Sequence, residues 1–219
     1  MTLKVYYDLM SQPCRALYMF LKSNNIPFVP CEVALRKGEH LEDKYKEINP
    51  FQRVPAIDHD GFKLTETIAI MRYLCTQFPV KDHWYPADVR KRARVDEYMA
   101  WQHLNLRFFG SMMFQKRVMQ GQKEPNPIFQ GGLEKCLDQI EQIFLADSQF
   151  VNGFNEITFA DLMAACEIEQ PIAAGFEVTK DRPKLRSYMD RVRARMNPLY
   201  DEAHKIPKQV KDRVVAGKL

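Results

Sequence analysis

The stretch Asp8-Leu9-Met10-Ser11-Gln12-Pro13-Cys14-Arg15-Ala16-Leu17, DLMSQPCRAL, follows the apolar run Leu3 to Tyr7 and marks the passage from a strand into a helix. Pro13 suits the first turn of that helix, which is expected to run to about Asn25, because a residue there has no use for the N–H that proline lacks. Ser11 therefore stands at a helix N-terminus, where unpartnered N–H groups and the positive end of the helix dipole favour an anion by about 0.3–1 kcal/mol. Its hydroxyl has two readings, a plain cap or a donor to a thiolate or phosphate. Cys14 has two as well. Beside Leu17, Tyr18 and Leu21 it reads as a buried and inert core thiol, whereas an exposed thiol at a helix start would be reactive.

Outward from this junction the pattern alternates. Phe28 to Val33 reads as a second strand, moved toward an edge by Pro30, and Leu41 to Ile48 as a short helix that Asn49-Pro50 stops. Pro55 to Thr65 reads as two short strands around Asp60-Gly61, a strong hairpin signal. Thr65 then serves as N-cap for a helix from Glu66 to about Gln77, with Ile68, Met71, Leu74 and Cys75 on one face. The order is β-α-β, a connection, and β-β-α.

Beyond Phe78 to Asp88, a proline-broken segment without periodicity, every pattern is helical. Val89 to about Met119 reads as one long amphipathic helix, followed by Ile128 to Ala146, Phe159 to Phe176, Pro183 to Met196 and a short segment after Pro198. Thr158-Phe159-Ala160-Asp161 has the form of a capping box and reads as structural. The expected domains are 1–77, a linker 78–88, and 89–219.

Bulk properties exclude several classes. With 46% hydrophobic and 27% charged residues among 219, the chain supports a sizeable core, and a net charge of +4 from 32 basic and 28 acidic residues implies no nucleic-acid partner. No run approaches the roughly 20 apolar residues that span a bilayer, and no signal-like stretch opens the chain, so no membrane association and a cytoplasmic address are expected. The five cysteines are odd in number and contain no C-x-x-C pair, which argues against a disulfide framework and a metal site alike.

The S-x-x-C at the first strand-helix junction, the Val-Pro before the third strand and the β-α-β, β-β-α order resemble the thioredoxin fold. With an all-helical second domain, the chain resembles a cytosolic glutathione transferase. The segments DLMSQPCRALYMF, NNIPF, LRKGEHL, NPFQRVPAI, LTETIAIMRYL and RARVDEYMAWQH resemble the serine-type theta class in particular. The fold class implied is an α/β thioredoxin-like N-terminal domain (βαβαββα) plus an all-α C-terminal domain.

The resemblance also implies a site. Ser11 would donate a hydrogen bond to the glutathione sulfur and hold it as the thiolate, without forming a covalent bond itself. His40 and Arg53 would grip the glycine carboxylate, Arg53 standing where lysine is common and bringing a fork that binds carboxylates in bidentate fashion. Val54 would pair its main chain with the cysteinyl part, and Pro55 would be cis. Glu66 and Thr67 would take the γ-glutamyl ammonium and carboxylate. From the residues alone His40 reads as a surface histidine, and Thr65-Glu66 as an ordinary cap with an acid in the first turn.

For the second substrate, Leu104, Arg107, Phe108, Ser111, Met112 and Gln115 share one helical face at 3–4 spacing, as either a core stripe or a pocket wall between the domains. The resemblance places Arg107 near the active site, where it would help a leaving anion depart. It also implies glutathione as co-substrate with no resident cofactor, and a homodimer into which Phe51 inserts. The basic ending KIPKQVKDRVVAGKL suggests a more open electrophile site than a C-terminal lid would leave. Three functions are open at this stage. They are a detoxifying transferase for small electrophiles such as alkyl halides and epoxides, with organic hydroperoxide reduction; a non-catalytic carrier of glutathione and apolar ligands; and a reductase using Cys14 as a redox thiol.

Overall fold

The computed structural model describes residues 2–151 and 153–218. The chain divides into two compact units, Met1–Lys81 and Asp82–Leu219.

In the first unit the strands are β1 (Leu3–Tyr7), β2 (Val29–Glu32), β3 (Ala56–His59) and β4 (Phe62–Thr65), in the order β2-β1-β3-β4. β1 alternates as a half-buried strand should, burying Leu3, Val5 and Tyr7. β2 runs parallel to β1, as a crossover through helix α1 (Gln12–Ser23) permits, whereas β3 and β4 are antiparallel to their neighbours. The β3–β4 hairpin turns on Asp60 and Gly61, both with positive φ (50° and 90°), the requirement of the turn that Asp-Gly announced. Helix α2 (Asp43–Lys46) is shorter than expected because two 3₁₀ turns, Leu35–Lys37 and Glu39–Leu41, occupy the approach to it.

Helix α3 (Thr67–Gln77) departs from expectation at its start. Its N-cap is Glu66, not Thr65, and Glu66 has φ 65° and ψ 109° with no side-chain cap bond. The buried face of α3 is Thr67, Ile70, Met71 and Leu74, a rotation from the expected set that leaves Ile68 and Cys75 half-buried.

The second unit begins inside the segment read as a linker. Trp84 is buried, and Tyr85 stacks on Phe159 at 5.0 Å while its hydroxyl donates to Asp96 at 3.1 Å. These aromatics anchor residues that the proline pattern marks as irregular.

The long helix expected over Val89 to Met119 is two helices, α4 (Val89–Leu104) and α5 (Leu106–Phe114), followed by a π-helical turn at Gln115–Met119. Asn105, at φ −111° and ψ −103°, makes the break, and its amide donates to the Trp101 carbonyl at 2.7 Å. Periodicity misses this because a single half-buried asparagine between Leu104 and Leu106 leaves the apolar spacing intact. Asn126 caps α6 (Pro127–Gln139), which continues as a π-helical turn to Phe144. α7 (Phe159–Ala173) ends three residues earlier than expected, where Gly175 takes φ 88°. α8 (Pro183–Met196) has the expected bounds. After it come α9 (Leu199–Ala203) and α10 (Lys205–Val215), a longer helical ending than the short segment expected.

The capping-box reading holds and extends. Thr158 donates both its N–H (2.8 Å) and its hydroxyl (3.0 Å) to Asp161, which also accepts the Val151 N–H at 3.0 Å and the Tyr188 hydroxyl at 3.2 Å. Asp161 ties the start of α7 to α8 and to the loop before it.

Asp161→Ala is expected to lower unfolding free energy by about 2–4 kcal/mol in denaturant titration, because buried N–H groups lose their acceptor. Burial outweighs the four hydrogen bonds and pushes the Asp161 carboxyl up to about 6 from 3.8. The folded state thus holds this proton more tightly than the unfolded chain, so the stabilisation is present below 3.8 and lost as pH rises through 6. The stability difference between the native protein and Asp161→Asn should fall across that window, and a flat difference would contradict the assignment.

Candidate functional site

Register places the candidate residues of the first unit at one end of its sheet. Tyr6, next to the end of β1, pairs with Ala56, the first residue of β3, and Ala56 pairs with Thr65, the last residue of β4. β1 therefore leaves the sheet toward Ser11 at the end where β3 enters after Val54-Pro55 and where β4 leaves toward Glu66 and Thr67. Helices α1 and α3 both start there, so two N-termini present their positive ends to one region.

Ser11 is the N-cap residue of α1, with extended backbone (φ −81°, ψ 128°), yet its side chain makes no cap bond. The plain cap reading fails on this point, and the half-buried hydroxyl retains its proton for another acceptor. The loop that carries it is held by Asp8, whose carboxylate accepts the Met10 N–H at 2.8 Å and the Leu35 N–H at 3.0 Å, while its carbonyl accepts the Ser11 N–H at 3.0 Å. Asp8 was missed from sequence, although an Asp just beyond a strand and two residues before a bonded N–H is a recognisable turn signal. Cys14 is 1% exposed. No disulfide partner can reach it without local opening, which removes the ground for the redox reading.

The Val54-Pro55 bond is cis. Among the described residues Val54 enters none of the turn, loop or ladder hydrogen bonds, so its N–H and C=O extend the edge of β3 with an unused donor and acceptor. The segment before it is fixed from behind. The Tyr45 hydroxyl (2.7 Å) and the Asn49 amide (2.6 Å) both donate to the Arg53 carbonyl, and burial pushes the Tyr45 phenol up so that it stays protonated. Arg53 itself is exposed. Gln52 donates to the Leu41 carbonyl at 2.8 Å and thereby links the chain beside Arg53 to the chain beside His40. His40 is half-buried, and its Nδ1 is buried without a hydrogen-bond partner, a polar atom left to a ligand or a water.

At the start of α3 the first bond is from the Ile70 N–H to the Glu66 carbonyl, at 2.9 Å. The N–H groups of Thr67, Ile68 and Ala69 have no partner within the helix, and Glu66 does not cap them. A carboxylate is the ligand such a terminus takes. Glu66 holds a positive φ that an L-residue adopts at a cost of about 1–3 kcal/mol, with its exposed carboxylate beside those amides.

The electrophile-site candidates belong to the second unit, and the break at Asn105 separates them. Leu104 ends α4 and is 76% exposed, while Arg107, Phe108, Ser111 and Met112 lie on α5 and Gln115 on the π turn. Leu106, Gly110, Met113 and Phe114 form the buried side of α5, so the candidates occupy its other side and are not a core stripe. The Arg107 guanidinium lies 3.9 Å from the wholly buried Glu167 carboxylate of α7, a partner that sequence reading did not find. Among the described residues no group of His, Cys, Asp and Glu is placed to hold a metal ion.

A family model described as glutathione S-transferase, N-terminal domain, matches residues 1–76. Glutathione S-transferase theta-1 of Mus musculus is 43% identical to this chain, covering 97% of it and 91% of the relative, and theta-1 of Homo sapiens is 41% identical with the same coverage. The structure of human glutathione S-transferase T1-1 in its apo form aligns with a TM-score of 0.91 at 42% identity, over 96% of this chain and 91% of that one. A human theta-class structure in complex with the glutathione conjugate of 1-menaphthyl sulfate aligns with a TM-score of 0.93 at 35% identity, over 100% and 92%.

Thiol accessibility gives a direct check. Native alkylation should modify Cys31 and Cys75, which are half-buried, well before Cys14, Cys136 and Cys166, which are buried. Mass spectrometry of a time course reads this out, and early labelling of Cys14 would reinstate it as a reactive thiol.

Proposed function

The chain belongs to the theta class of the glutathione S-transferases, and on that footing we propose that it joins glutathione, through its sulfur, to small electrophilic carbon centres. The thiolate attacks carbon, a C–S bond forms as the bond to the leaving group breaks, and the leaving group departs with the bonding pair. The thiol proton passes to solvent. Alkyl halides and epoxides are the expected electrophiles, with organic hydroperoxides as a second class that glutathione reduces.

One observation carries this reading, the Ser11 hydroxyl that caps nothing at a helix N-terminus. A thiol with an ordinary pKa of about 8.5 is mostly protonated at neutral pH, and a donor held where its anion forms shifts that balance without reorganising. A carrier protein would have no use for such a donor, so the same observation weighs against the non-catalytic alternative.

The remaining residues divide the tripeptide among them. Val54 offers the cysteinyl backbone a donor and an acceptor, the amides of Thr67 to Ala69 take the glutamyl carboxylate, and Glu66 takes its ammonium. His40 and Arg53 take the glycine carboxylate, Arg53 through two parallel N–H bonds. Arg107, flanked by Phe108, Ser111 and Met112, offers a cation to the departing anion beside apolar surface for the electrophile; Leu104 and Gln115 complete that surface.

A homodimer in the cytoplasm is the proposed working form. Phe51 is 67% exposed in a loop pinned by the Asn49 side chain, which accepts the Phe51 N–H at 2.9 Å. A rigidly presented aromatic is an anchor for a partner surface. No helix among the described residues is long and apolar enough to cross a membrane.

Ser11→Ala should lower kcat/KM for a model alkyl halide by about 10²- to 10³-fold, the cost of losing one donor to a developing or stabilised anion. Glutathione affinity should stay within about threefold, because the hydroxyl serves the thiolate more than it serves binding. Retained turnover in Ser11→Ala would sink the proposal. Separately, Phe51→Ala should raise the dimer dissociation constant about tenfold or more by analytical ultracentrifugation, and an unchanged constant would remove Phe51 from the interface.

A further inference from the structure

Arg15, the fourth residue of α1, is wholly buried, and its Nη1 donates to the carbonyl oxygens of Leu9 and Met10, each at 3.0 Å. Those residues immediately precede Ser11, whose own carbonyl accepts the Arg15 N–H at 3.1 Å. One residue thus closes the whole turn between β1 and α1, from the side of α1, while Asp8 closes it from the strand.

A guanidinium is a costly choice for this duty. Taking a charge out of water is unfavourable, and a cation one turn into a helix sits toward the positive end of the dipole. A cation bonded to the carbonyls of Leu9 and Met10 contributes positive potential to the turn that carries Ser11, and in buried surroundings a charge acts more strongly than in water. The same two bonds engage both carbonyls of the turn just before the serine and so hold its backbone in one place.

From this we infer that Arg15 is the positioning residue for Ser11. Its two hydrogen bonds fix the turn at residues 9–11 so that the hydroxyl faces the incoming sulfur, and its buried charge favours the thiolate over the thiol. The inference rests on the reading of Ser11 as the thiolate donor.

The test is an ultraviolet titration of the thiolate of bound glutathione against pH, in the native protein, Ser11→Ala, Arg15→Gln and Arg15→Lys. Arg15→Gln should raise the apparent pKa of the bound thiol by about one unit, a tenfold loss of thiolate on the acidic side, with glutathione affinity within about threefold. Arg15→Lys keeps the charge but lacks the planar fork, and should shift about half as far. A folded Arg15→Gln that titrates like the native protein overturns the inference, as does one that loses affinity with its titration unchanged, since that is a merely structural role. If Arg15→Gln does not fold, Arg15→Lys decides alone, and an unshifted titration there overturns it. Absence of thiolate in the native protein defeats the reading of Ser11 and this inference with it. Thiolate that vanishes in Ser11→Ala but persists unshifted in both Arg15 variants defeats only the role of Arg15.

Discussion

The pairing of Ala56 with Tyr6 on one side and Thr65 on the other is the constraint on which the site depends. It brings one strand start and two strand ends to the same edge of the sheet. Each carries a different offer, a hydroxyl at Ser11, an unpaired peptide group at Val54 and a helix N-terminus at Thr67. Ala56 is fully buried between these neighbours, so the register has little freedom to slip without turning the side chains of β3 to the wrong face.

The chemistry gathered at that edge runs against the interest of the fold. Helix N-termini want caps, yet Ser11 and Glu66 both decline that role. Glu66 in addition holds a left-handed φ. Costs of this kind collect where a ligand supplies the missing partners, and an anionic peptide with a free carboxylate at each end and a thiol between matches them in kind. Caps are made at Asp88, Asn126 and the Thr158–Asp161 pair, while the starts of α2, α5, α8, α9 and α10 also lack one, so what marks the sheet edge is the convergence of two open helix N-termini on one end of the sheet and not the missing caps alone.

Much of this was legible in the residues. Pro13 after a short apolar run announced α1, Asp60-Gly61 announced the hairpin, and Thr158 with Asp161 announced α7, because each signal is local and acts through backbone geometry. Whether Ser11 caps its helix could not be read, since the same residue type serves both uses and only the hydrogen bonding in the folded structure separates them. Asn105 broke a helix that periodicity ran straight through, because the apolar spacing continues across it. The Glu167 carboxylate beside Arg107 and the Tyr45 and Asn49 donors on the Arg53 carbonyl join residues distant in sequence or hidden in irregular chain, where no short pattern reaches. His40 and Arg53 had no local signal of function at all, and only the resemblance pointed to them.

The most direct test of the central claim is a crystal structure of the protein with glutathione bound. The sulfur is expected within about 3.0–3.5 Å of the Ser11 Oγ, with the cysteinyl backbone paired to Val54 and the glutamyl carboxylate on the amides that open α3. A tripeptide bound away from this sheet edge, or a sulfur directed at Cys14 with the Ser11 hydroxyl turned back onto its own helix, would contradict it.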